Sequence, residues 1–97
     1  MGYDASLTSK TGDFGADIIA KKDKDTVVIE VKKYDKNNKV GAGEIQEFLG
    51  SMWIYNAQKA IFITTSDFTN HAKAQATNAP IELWNDRKLH KLFLDYY

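Results

Sequence analysis

Residues 12–33 read G-D-F-G-A-D-I-I-A-K-K-D-K-D-T-V-V-I-E-V-K-K. Asp17 heads one short apolar run, Glu30 stands inside the next, and Lys32 follows two residues later. Residues 26–31 are β-branched throughout except for Glu30, the composition of a central strand covered on both faces. Alternation puts Val28, Glu30 and Lys32 on one face and Val27, Ile29 and Val31 on the other. A carboxylate inside such a run costs several kcal/mol if nothing offsets its charge. A bound cation and a neighbouring lysine are the two obvious compensations.

Upstream, residues 3–8 alternate loosely and suit an edge strand, and residues 11–15 carry turn chemistry. Residues 17–21 read as a strand joined to the Glu30 strand by a polar hairpin loop at 22–25. Downstream, residues 35–43 form a polar loop closed by Gly41 and Gly43. Ile45, Phe48, Leu49 and Met52 recur at i, i+3, i+4 and i+7, which predicts a helix over 44–57. A second buried strand follows at 59–65. Thr69 or Asn70 can cap a short helix through Ala76, because either side chain accepts a backbone N–H bond. Pro80 ends that helix, 81–84 is a short strand, and Asn85 or Asp86 caps a last helix with Leu89, Leu92, Phe93 and Tyr96 as its stripe. The order β-β-β-α-β-α-β-α requires crossover connections in its second half, so part of the sheet is parallel and helix-covered.

Ninety-seven residues with 43% apolar and 27% charged side chains make one α/β domain, spanning 1–97, that buries about two-thirds of its unfolded surface. Cysteine is absent, which excludes disulfides and thiolate metal sites. No run approaches the roughly 18 apolar residues of a membrane helix, and the start lacks a signal-peptide pattern, so a cytoplasmic protein without a membrane partner is expected. The net charge is zero but polarised: residues 31–40 hold four lysines and one acid, residues 1–30 six acids and four lysines.

If the strands carrying Asp17 and Glu30 pair, about 4.8 Å apart, their carboxylates can converge. Two acids, with the Val31 carbonyl, suit a hard cation such as Mg²⁺, with Mn²⁺ as a substitute. Lys32, on the Glu30 face, can orient a water or steady a phosphate oxygen. Such a set suits phosphodiester hydrolysis, where positive charge stabilises the developing negative charge. The alternative is a plain Glu30–Lys32 salt bridge at a sheet edge, and spacing alone leaves both open.

The blocks G-D-F-G-A-D-I-I-A, V-V-I-E-V-K-K-Y, V-G-A-G-E-I-Q-E-F-L-G, K-A-I-F-I-T-T-S-D-F and I-E-L-W-N-D-R-K-L occur in an order that resembles the catalytic domain of the Mrr-like restriction endonucleases. That family belongs to the PD-(D/E)XK nuclease superfamily, and the resemblance runs over most of the chain. It implies a restriction-endonuclease-like α/β fold, with a mixed central sheet flanked by helices. It also implies Asp17, Glu30 and Lys32 as the D…E-x-K set of a Mg²⁺-dependent DNA endonuclease in restriction-type defence. Gln46 matches the family's recurrent glutamine facing the site. Asp13 matches the G-D of the glycine turn. Many Mrr-like members carry Gln at the Glu30 position, so this chain has the superfamily's more general form. Such domains usually begin with a helix, whereas this sequence starts at M-G-Y-D, resembling the strand after it. A trimmed domain, or a face covered by a second subunit, is the expectation, with a homodimer, a higher homo-oligomer or a domain swap as the result. A non-cleaving DNA-binding or assembly module, and a nuclease similar to the archaeal Holliday-junction resolvases, are the alternatives.

Weaker signals complete the reading. Asp13-Phe14-Gly15 spells a kinase triplet without the other kinase motifs. Gly41 and Gly43 could let backbone N–H groups approach a phosphate, but a plain helix entry is the better account of them. Lys33, Lys36 and Lys39 are candidates for DNA phosphate contacts, against a solvated loop. His71 and His90 lack ligand spacing, and Ser66 lacks a His–Asp pair to activate it. Trp53, Ile54 and Tyr55 extend apolar character past the helix stripe and suit core or interface.

Overall fold

The computed structural model describes residues 4–7 and 18–96. Five strands and three helices follow in the order β1 (Asp4–Leu7), β2 (Ile18–Lys22), β3 (Asp25–Lys32), α1 (Ala42–Tyr55), β4 (Lys59–Thr64), α2 (Asn70–Ala76), β5 (Ile81–Trp84) and α3 (Asp86–Tyr96). The strands form one sheet in chain order. β1–β2 and β2–β3 are antiparallel, whereas β3–β4 and β4–β5 are parallel. This is the mixed sheet that the helix-separated second half requires.

β2 and β3 form a hairpin tighter than the sequence suggested. Lys22 pairs with Asp25, leaving Asp23 and Lys24 as a two-residue turn. Asp23 has φ 56°, a left-handed conformation that aspartate tolerates better than most residues.

The core lies on one side of the sheet. Val28, Ala60 and Phe62 from β3 and β4 meet Ile45 and Phe48 from α1, Ala72 from α2, and Val40 and Phe68 from the loops. Phe62 lies at its centre, edge-on to Phe48 at 5.3 Å and to Phe68 at 5.7 Å between ring centroids, geometries favoured by the ring quadrupoles. The α1 stripe forms as its period requires: Ile45 and Phe48 are buried, and Leu49 and Met52 pack at the margin. Asn56, at φ 53°, ends α1, and the Ala57 N–H returns to the Met52 carbonyl at 2.8 Å.

Two expectations are corrected. α1 starts at Ala42, so Gly43 lies in its first turn and only Gly41 stands outside, as the N-cap. A glycine has no side chain to cap with; instead the Glu44 carboxylate reaches back and accepts the Gly41 N–H at 3.2 Å, half of a capping box. Second, the far face of β3 is covered only in part: Val27 is buried there, Ile29 is half-buried and Val31 is 39% exposed. α1 packs against β3 and β4 on the core side, while α3 packs against β5 at the far edge.

At the helix starts, Thr69 caps α2 by accepting the Ala72 N–H at 3.1 Å. The Asn85 Oδ1 accepts the Lys88 N–H at 2.9 Å in the first turn of α3. Among the described residues no helix is long and apolar enough to cross a membrane.

Candidate active site

Glu30 lies on the core face of β3, one step beyond Val28, and is only 6% exposed. β3 is flanked by β2 and β4, so Glu30 is not on an edge strand. The Lys32 Nζ lies 3.6 Å from Glu30 Oε2, and the Lys32 side chain is 40% exposed. One end of the pair is thus fixed in the protein and the other reaches solvent. The lysine reduces the desolvation cost of the carboxylate, but its exposure weakens the attraction through screening. The edge-strand salt bridge is ruled out as an account of position, and the ion pair itself is present.

The residues after Lys32 are held by the end of β4. Thr65 donates its N–H to the Lys32 carbonyl at 3.2 Å. Its Oγ1 accepts the Tyr34 N–H and donates to the Tyr34 carbonyl, each at 2.9 Å. The Tyr34 hydroxyl then crosses to α1 and donates to Glu44 Oε1 at 2.5 Å. Glu44 therefore bridges Tyr34 and Gly41, tying the exit of β3 to the start of α1. The Tyr34 phenol is pushed above its ordinary value by the bond to Glu44, then by burial and by the Glu44 and Glu30 charges. Glu44 is thus the acid bonded to Tyr34, and the Glu30 charge adds the smallest contribution to the rise. The sequence places Thr64, Thr65 and Ser66 at a strand end near the site but assigns Thr65 no role, and it does not single out Tyr34 or Glu44. The available signal was the pair of threonines ending β4 level with Lys32, since Thr64 is its register partner.

The other sequence-derived site residues distribute unevenly. Asp17 and Asp13 lie outside the described residues; Ile18, which follows Asp17 in the chain, pairs with Ile29, which precedes Glu30. Gln46 is exposed on α1, and Lys33, Lys36 and Lys39 are exposed in the loop after β3. Lys36 and Lys39 line a cleft of about 210 Å³ with Ser66, Asp67, Asp86 and Arg87. His71 and His90 are exposed on α2 and α3, as separate as their spacing implied. Trp53 is 90% exposed and Ile54 also faces solvent. A larger groove of about 480 Å³ beside Trp53 is lined from the C-terminal part of α1 and from residues 78–80, away from Glu30.

Among the described residues no three His, Cys, Asp or Glu side chains cluster as a metal site. Glu30 contributes one buried carboxylate, and the absence of cysteine leaves oxygen and imidazole donors for the chain as a whole. A buried carboxylate is an oxygen donor of the kind that hard divalent cations take.

The architecture is that of restriction endonucleases. The fold superposes on the DNA modification-dependent restriction endonuclease AspBHI with a TM-score of 0.82 and 21% identity, over 97% of this chain and 26% of that one. It superposes on the MspJI restriction endonuclease, solved in complex with a 27-mer oligonucleotide, with a TM-score of 0.69 and 16% identity, over 91% of this chain and 22% of that one. At those identities the likeness is one of fold. The sequence places the chain more narrowly: residues 1–93 match the profile of the Mrr_cat family, described as restriction endonuclease, and the chain belongs to that family. It is 33% identical over 100 residues to the type IV methyl-directed restriction enzyme EcoKMrr of Escherichia coli (strain K12), over 93% of this chain and 32% of that protein. The chain thus spans about a third of the length of this curated relative.

Proposed function

We propose that this chain is the catalytic module of a Mg²⁺-dependent DNA endonuclease acting in restriction-type defence. The observation that carries the reading is the buried Glu30 carboxylate with the half-exposed Lys32 ammonium 3.6 Å away, on an interior strand. Asp17, Glu30 and the Val31 carbonyl would hold the cation. When bound, it would polarise a phosphoryl oxygen and lower the pKa of an attacking water.

The protein's own groups do the positioning. Glu30 is held by strand pairing on both sides of β3. Lys32 projects to solvent from the same face, where its ammonium would donate to a phosphate oxygen or to the attacking water and balance charge that builds up in the transition state. Thr65 and the Tyr34–Glu44 bond hold the backbone just beyond Lys32, which limits the drift of that ammonium. Gln46 would support the site from α1, and Lys33, Lys36 and Lys39 would meet the phosphate backbone as sequence-independent contacts. One such centre cuts one strand, so a double-strand break would require two copies; exposed Trp53 and Ile54 offer apolar area for that association.

The test is to incubate the protein with supercoiled plasmid and Mg²⁺, with Asp17→Ala as the comparison. Nicking by the unmodified protein, lost in EDTA and in the variant, is expected. Equal nicking by both, or none by either, contradicts the proposal. A four-way junction in parallel separates a junction resolvase from a duplex nuclease.

A further inference from the structure

The cleft of about 210 Å³ lined by Lys36, Lys39, Ser66, Asp67, Asp86 and Arg87 has features that a solvated loop does not require. It lies at the same end of the parallel strands as Lys32. Thr64 is the register partner of Lys32, and Ser66 follows two residues later. Its walls are fixed by backbone bonds: the Val40 N–H donates to the Asp67 carbonyl at 2.9 Å, and the Asp86 N–H to the Ser66 carbonyl at 3.1 Å. The loop holding Lys36 and Lys39 is thereby joined to the start of α3.

Ser66 is 3% exposed, and its Oγ has no hydrogen-bond partner among the described residues. A buried hydroxyl left in that condition is destabilising, and an acceptor entering the cleft would offset this. The surroundings favour an anionic acceptor. Three cationic side chains line the cleft against two acids, and Asp67 is already committed: its Oδ1 accepts the Phe68 N–H at 2.8 Å and the Asn85 amide at 3.2 Å, while its Oδ2 lies 3.7 Å from Arg87 Nη2. Burial works to raise the Asp67 carboxyl, but the Phe68 and Asn85 bonds and the Lys73 and Arg87 charges outweigh it and hold it below its usual value. Asp67 is thus paired with the exposed Arg87 guanidinium at the mouth of the cleft. α3, 11 residues long, begins at this wall and adds the positive end of its dipole.

We infer that this cleft binds a phosphate of the nucleic-acid backbone other than the one being cut, with Ser66 Oγ–H and Arg87 as donors, Lys36 and Lys39 at the rim and the start of α3 behind. As a nucleic-acid subsite it rests on the nuclease reading; as an anion site it stands apart from it. Two measurements separate these. In the first, inorganic phosphate is titrated into the protein and amide shifts are followed by NMR, with Ser66→Ala and Arg87→Ala as variants whose folding is checked by circular dichroism. Saturable shifts at Ser66 and Arg87, lost in the variants, are expected; no shift at these amides overturns the site. In the second, binding of a labelled duplex is measured in EDTA from 50 to 200 mM salt, with Lys91→Ala, an exposed α3 change, as control. Arg87→Ala should weaken binding about tenfold and lower the salt slope by about one, while Lys91→Ala does not. Affinity and slope unchanged in Arg87→Ala overturn the backbone assignment. Failure of the nuclease reading would show separately, as absence of metal-dependent nicking by the unmodified protein.

Discussion

Replacing Tyr34 by Phe removes one hydroxyl and leaves the ring. The lost bond is the 2.5 Å contact from the phenol to Glu44 Oε1, while the Thr65 bonds, which use the Tyr34 backbone, persist. Hydrogen bonds to charged groups contribute about 1.5–3 kcal/mol. Both side chains are half-buried, so the lower end applies, about 1.5 kcal/mol. For a domain of this length that lowers Tm by about 6 °C. The pH dependence has a definite sign. The folded pKa of Tyr34 lies above its ordinary value of 10.0, chiefly through the bond to Glu44, so the protonated phenol supplies stability that is present below pH 10 and fades as pH rises through the folded pKa. Thermal melts of the unmodified protein and Tyr34→Phe at pH 7 should differ by the full amount, and the gap should close toward pH 11. Glu44→Gln and the double variant complete the cycle, with a coupling of about 1 kcal/mol expected between the two positions. A gap under 1 °C at pH 7, or one undiminished at pH 11, would refute the latch.

Other expected outcomes address separate parts of the molecule. Phe48→Ala, which empties the space beside Phe62, should cost about 3–5 kcal/mol in urea unfolding, enough to threaten folding of so small a domain. Glu82 is held at about 2 by its bond from Lys59, then by the Trp84 indole N–H at 3.0 Å, with Lys88 adding at 3.5 Å. Its contribution is therefore present above about pH 4.5 and lost as pH falls toward 2. Because these groups are substantially exposed, Glu82→Gln should cost only about 1 kcal/mol or less at pH 7 in chemical denaturation, and nothing near pH 2. Gln46→Ala, at an exposed position, should leave Tm within about 1 °C while slowing plasmid nicking about tenfold; an unchanged rate would remove Gln46 from the site.

The elements most legible in the sequence were those with a strong period. The β-branched run around Glu30 and the Ile45, Phe48, Leu49, Met52 stripe each admit one geometry, and the helices between later strands force parallel pairing. The start of α1 was less legible because its cap uses no side chain at Gly41; the relevant signal sits three residues on, at Glu44. The second face of β3 is less legible: Val27, Ile29 and Val31 are equally apolar, yet burial falls along them from Val27 to Val31, and composition does not reveal where the cover ends. The contact between Tyr34 and Thr65 is illegible for a different reason: they lie 31 residues apart and meet only because β3 and β4 are in parallel register. The cleft at Ser66 is hidden likewise, since its walls come from two separate connections and the start of α3.

The central claim is that Glu30 and Lys32 form a cutting centre and not a structural ion pair. The most direct measurement is the rate of Mg²⁺-dependent plasmid nicking by Lys32→Ala relative to the unmodified protein, at a temperature where melting curves show both folded. Loss of the ammonium should slow nicking by about 10²–10⁴-fold, because Lys32 reaches solvent where substrate would lie. A folded Lys32→Ala protein that nicks as fast as the unmodified one would contradict the account.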